Sequence, residues 1–144
     1  MKCVAYVRTA SKNNEVALTK QMEMIKEFIS EKNWKLDSVY TDVESGVKVN
    51  ENLHKMIEDA QKGKIDVIVA ADTTRILRTK EMANVLGKLY ELNKVHLITV
   101  DNRINTFLND DITVLNVYAY LNECEAKVMS QRIKDGKRFK KQKS

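Results

Sequence analysis

The residues best equipped for chemistry in this 144-residue chain stand just beyond short apolar runs. Arg8 follows CVAYV and has Ser11 three residues on. Asp42 ends LDSVYTD and is followed by Ser45, and IDVIVAA leads into Asp72, Thr73, Thr74, Arg75 and Arg78. Arginine forks match phosphate oxygens and can stabilise charge on a phosphoryl transition state without a metal. A serine hydroxyl beside such a cation is a candidate nucleophile. The alternative for Ser11 is an ordinary loop or helix-cap serine.

Other chemistries find little support. There is no GxxxxGK[ST] phosphate loop and no GxGxxG fingerprint. His54 and His96 are isolated, as surface or satisfied histidines are, so neither a metal nor a cofactor is expected. Cys3 and Cys124 are far apart and lack CxxC spacing, which suits two reduced core thiols. The longest apolar runs are too short to span a bilayer, and the N-terminus has no apolar signal core. A cytoplasmic protein without a membrane segment is expected.

The arginines need a scaffold, and the hydrophobic patterning supplies one. CVAYV, LDSVYTD, IDVIVAA and VHLITV read as strands. Between them lie helical periods over about Val16 to Lys32 (Leu18, Met22, Ile25 and Ile29 on one face), around Leu53, Ile57 and Ala60, and over about Lys80 to Leu92. VESGVKVNEN is expected to be a loop with Gly46 as its flexible point. This alternation predicts an α/β fold with a mostly parallel sheet and helices on both faces. In open sheets of that kind ligands bind outside the carboxyl ends of the strands, which is where the arginines fall. Arg75 and Arg78, three apart, would share one helical face or one extended turn.

From about Asp111 the pattern becomes one long helix with two apolar seams. Ile112, Leu115, Ala119, Ala126, Met129 and Ile133 form one; Val114, Val117, Leu121, Cys124 and Val128 form the other. One seam suffices for docking on its own domain. The second implies a partner chain, most simply in a homodimer, or else burial on both sides within one domain. Residues 132–144 hold seven Lys/Arg against one Asp, a charge of +6, which leaves −1 of the total +5 on the rest. A nearly neutral domain thus carries a basic arm suited to phosphates, although lysine-rich termini are also common solubilising ends. The organisation expected is a domain over 1–136, including the long helix over 111–136, and a tail over 137–144.

At these residues the chain resembles the catalytic domain of the serine site-specific recombinases, the resolvase/invertase family. Tyr6 and Arg8 fit the opening Tyr-x-Arg-x-Ser strand, and Gln21 fits a glutamine on the first helix. DVESG, with Asp42, Ser45 and Gly46, fits Asp-x-x-Ser-Gly. TRILR places Arg75 and Arg78 in a paired-arginine segment, and Glu125, Arg132 and Gly136 fit the pattern of the long helix. The resemblance implies a resolvase-like fold, DNA as partner, and strand cleavage through a phosphoserine link followed by exchange within a tetramer, with no metal or nucleotide. It also implies that the long helix dimerises and that its basic end, with Arg132, Lys134, Lys137, Arg138, Lys140 and Lys141, lies along DNA.

Three positions depart from the family. Ala10 occupies the nucleophile position, and Thr74 replaces an aspartate before the first paired arginine. Asn50 or Glu51 stands where the family has an arginine, shortly before Leu53. Several readings follow: Ser11 as a displaced nucleophile, a replaced serine in a working enzyme, natural loss of cleavage, or a divergent site using Ser45 or Thr9. The corresponding functions are a DNA strand-exchange enzyme or a non-catalytic regulator that binds DNA or pairs with a recombinase. A small α/β phosphate-binding domain unrelated to recombination is a third class. A recognition domain usual in the family after the long helix is absent from this sequence, so weak, salt-sensitive DNA binding is expected.

Overall fold

In the computed structural model, residues 1–10, 14–43, 50–109 and 111–143 are described, with the backbone alone for 130 and 133–143. Four parallel strands, β1 (Cys3–Thr9), β2 (Leu36–Val43), β3 (Val67–Ala70) and β4 (His96–Thr99), form a sheet of order β2-β1-β3-β4. Parallel neighbours need long crossovers, and helices provide them. These are α1 (Glu15–Glu31), α2 (Glu51–Gln61) and, after β3, the short α3 (Thr73–Ile76) and α4 (Lys80–Asn93). The chain ends in α5 (Thr113–Lys143).

β1 is buried along its whole length because it lies between β2 and β3. Its side chains alternate between two cores. Cys3, Ala5 and Val7 meet Ile25, Phe28 and Ile29 of α1. Val4 and Tyr6 join Leu53, Met56, Leu86, Leu115 and Ala119 on the face covered by α2, α4 and α5. Helices therefore lie on both faces, as the patterning predicts.

The differences from the sequence reading are local. β3 and β4 are four residues each, shorter than their apolar runs. α2 begins at Glu51, inside the segment expected to be loop, and Gly46 lies outside the described residues. α3 was not anticipated, and only Arg75 belongs to it. Arg78 lies in the non-helical link before α4, so the two arginines share no helical face.

α5 starts at Thr113 and continues to Lys143, so the backbone of residues 137–143 is helical as well. Its seams divide along its length. Leu115 and Ala119 are buried, with Ile112 and Val114 packed alongside. Val117, Leu121, Val128 and Met129 are exposed, as is Ala126, while Cys124 is half-buried. Two bonds fix the departure of α5 from the domain. Asn122 Nδ2 donates to the Leu77 carbonyl (2.7 Å), and Glu123 Oε1 accepts the Lys80 amide at the start of α4 (3.2 Å).

Candidate functional site

The strand period places Arg8 on the same face as Tyr6, and the parallel register sets Arg8 opposite Asp42. Those two facts assemble the site. Tyr6 Oη donates to Asp42 Oδ2 (2.8 Å) and accepts from Arg8 Nη1 (3.2 Å). The same Nη1 donates to Asn50 Oδ1 (2.8 Å). Burial pushes the Tyr6 phenol well above its ordinary pKa, the Arg8 hydrogen bond opposes that, and Asp42 adds to it. Tyr6 thus remains a neutral hydroxyl between an acid and a base.

Asp42 has a second duty. Its carboxylate accepts the amides of Asn52 (3.0 Å) and Leu53 (2.9 Å), the second and third residues of α2. Such amides are normally satisfied by a residue at the helix start. Asn50 occupies the capping position but makes no side-chain capping bond. Asp42 caps α2 from the neighbouring strand, and the Asn50 oxygen is left to Arg8.

The Arg8 main chain is held from two further directions. Gln21 of α1 accepts its amide (3.2 Å) and donates to its carbonyl (2.9 Å), and Arg75 Nη1 donates to the same carbonyl (3.0 Å). Arg75 is steered by its own turn. Asp72 caps α3 by accepting the Thr74 amide (2.9 Å) and the Thr74 hydroxyl, and lies 3.8 Å from Arg75 Nε. Arg8, Asn50, Arg75 and Arg78 then line one cavity of about 460 Å³, with Leu53 and Ile57 of α2 among its apolar walls. Arg8 is only 5% exposed, yet its Nε, like that of Arg75, is buried without a hydrogen-bond partner among the described residues. Buried polar groups rarely stay unpaired; Arg75 Nε already faces the Asp72 carboxylate, and the Arg8 guanidinium is the group that suits an anion.

Of the residues proposed from sequence, Tyr6, Arg8, Asp42 and Arg75 are joined by hydrogen bonds, and Arg78 shares their cavity. Ala10 follows β1 directly and is exposed. Ser11 and Ser45 lie outside the described residues. Arg132 is exposed on α5, far along the chain from this cluster; Lys134, Lys137, Arg138, Lys140 and Lys141 fall where only the helical backbone is described. Asn50 was seen in the sequence only as a departure from an arginine. Its contact with Arg8 depends on the β1–β2 register and on the remote cap, and no local motif carries either. His96 bonds to Thr106 Oγ1 (2.9 Å) and stacks on Phe107 at 3.7 Å. No group of three or more His, Cys, Asp or Glu placed to hold a metal occurs among the described residues.

The molecule is a parallel α/β sheet with an arginine-lined cavity at the strand ends and a long C-terminal helix. The family model "Resolvase, N terminal domain" matches residues 3–144, and the chain belongs to that family. It is thereby a DNA site-specific recombination protein of the serine recombinase type. No curated protein matches the chain.

Solved structures share its fold. The N-terminal catalytic domain of TP901-1 integrase is 19% identical at a TM-score of 0.70, covering 90% of this chain and 99% of that one. A resolvase family site-specific recombinase from Streptococcus pneumoniae is 18% identical at 0.66, covering 99% of each. The C-terminal catalytic domain of ISC1926 TnpA, an IS607-like serine recombinase, is 21% identical at 0.60, covering 69% of this chain and 67% of that one.

Proposed function

We propose that the chain binds a DNA phosphodiester through Arg8, Arg75 and Arg78 and does not cleave it through residue 10. Ala10 carries the reading. It immediately follows the strand that holds Arg8, where the family pattern requires a hydroxyl, and a methyl group cannot attack phosphorus. Thr74 removes a carboxylate from the same site, and its hydroxyl is engaged by Asp72. A serine elsewhere in the loop would have to reach in-line geometry from a displaced Cα. The retained arginine cluster supports binding without chemistry, as in a regulator that occupies DNA or pairs with an active recombinase.

The remaining features fit a DNA-bound assembly in the cytoplasm. No described helix is long and apolar enough to cross a membrane. The exposed Val117, Leu121, Val128 and Met129 support pairing of α5 with a second copy, in a dimer or a tetramer. The positive charge of 132–144, including Arg132, Lys134, Lys137, Arg138, Lys140 and Lys141, supports a phosphate-seeking arm beyond the domain.

The test incubates the native chain, Ala10→Ser and Ser11→Ala with labelled duplex DNA and supercoiled plasmid. Denaturing gels then separate covalent from reversible complexes. The native chain is expected to bind reversibly, with strong salt dependence and no adduct. An adduct in the native chain that disappears with Ser11→Ala would overturn the non-cleaving half of the reading. An adduct in Ala10→Ser alone would show that the serine hydroxyl is the one missing group.

A further inference from the structure

The geometry points to Asn50 as a positioning residue that orients Arg8 toward a DNA phosphate while adding no negative charge beside it. This rests on the phosphate-binding reading above and concerns how that site keeps its charge.

Arg8 is almost completely buried, and a buried cation ordinarily acquires a carboxylate partner. Here its Nη1 meets two neutral oxygens, Tyr6 Oη at 3.2 Å and Asn50 Oδ1 at 2.8 Å. The nearby carboxylate, Asp42, is engaged by Tyr6 Oη and by the Asn52 and Leu53 amides. It is joined to Arg8 through the Tyr6 hydroxyl. Two neutral acceptors fix the plane of the guanidinium, which lines the cavity, and its buried Nε has no hydrogen-bond partner among the described residues. An incoming phosphate would supply the counter-charge at the guanidinium. A carboxylate at position 50 would keep the hydrogen bond but take the place of the phosphate as counter-charge.

Asn50 is available for this because Asp42 has taken over the capping of α2. An asparagine preceding a helix would otherwise turn its oxygen to the helix amides. The cap supplied by β2 and the Asn50 bond to Arg8 are therefore one arrangement.

The experiment compares native chain, Asn50→Asp, Asn50→Ala and Arg8→Ala, with Asn33→Asp as the control for one added negative charge. Asn33 is exposed at φ 58°, in the turn that leads into the start of β2, at the end of the strands opposite the site. Each is measured for thermal midpoint and for affinity to duplex DNA across a salt series. Asn50→Asp is expected to melt at or above the native midpoint, yet to bind DNA roughly five- to tenfold more weakly at low salt. Its plot of log affinity against log salt should be shallower by about one. Asn50→Ala should also weaken binding, with its salt slope closer to native.

A residue with a merely structural role would not move stability and binding in opposite directions. If Arg8→Ala loses affinity while Asn50→Asp binds like Asn33→Asp, the role of Asn50 is overturned and the phosphate site stands. If Arg8→Ala binds like the native chain, the phosphate site and the role of Asn50 fall together.

Discussion

At the residue scale, the site joins Asp42 to Arg8 through a neutral hydroxyl. Tyr6 separates Asp42 from Arg8, and burial keeps its phenol protonated. The same strand carries Cys3, fully buried, whose thiol is pushed by burial from 9.0 to about 11, with the chain's amino terminus opposing. A raised acid pKa means that the fold favours the protonated form. The contribution of Cys3 is therefore complete below pH 9 and is lost as pH rises through about 11. Within that window it removes up to about 1.4 kcal/mol of stability per pH unit. We expect the urea midpoint to fall across this range, with Cys3→Ala flattening that part of the profile. An unchanged profile in Cys3→Ala would assign the alkaline loss to other groups such as Tyr6. Iodoacetamide at pH 8 should label Cys124 and spare Cys3 until the chain unfolds.

At the element scale, α4 meets the residue leading into α5 closely enough that a glycine in α4 is informative. Gly87 is buried within α4, and a Cβ added there would lie 3.5 Å from Ile112 Cδ1, an ordinary contact. Its backbone is helical, so alanine gains helix propensity and packing together. Gly87→Ala should stabilise the domain by roughly 0.5–1 kcal/mol, read as a raised thermal midpoint; a lowered midpoint would mean that the two helices cannot accept the methyl group. The elements themselves were largely legible in the sequence. The apolar alternation of Val4–Tyr6 against Cys3–Ala5–Val7 fixes two packing faces, and the amphipathic spacing of Leu18, Met22, Ile25 and Ile29 fixes the face of α1. α3 was not legible because four residues carry no period; it exists because Asp72 caps it. Arg8, Arg75 and Arg78 could be gathered from strand ends alone. The grip of Gln21 and Asn50 on Arg8 could not, since it arises from contacts 13 and 42 residues apart.

At the scale of the whole molecule, α5 carries the features that extend beyond the domain. Val117, Tyr120, Leu121, Val128 and Met129 are exposed on it, an apolar surface that water disfavours and a second copy could cover. We expect sedimentation velocity at micromolar concentration to give a species heavier than the 16.6 kDa chain, and Leu121→Glu to return it toward the monomer. A native chain that sediments as a monomer at every concentration would remove α5 pairing from the picture. The described side chains of α5 from Glu125 onward are exposed, so the helix leaves its domain at Asn122 and Glu123. From there to Lys143 it extends about 32 Å. Such an arm is a lever whose root is the Asn122 bond to the Leu77 carbonyl, and Leu77 lies between Arg75 and Arg78. A sideways displacement of about 5 Å at the far end of a rod this long turns its root by roughly 10°. The load would arrive at the backbone that carries two of the three arginines. Whatever grips the far end of the helix therefore has a mechanical handle on the arginine cluster.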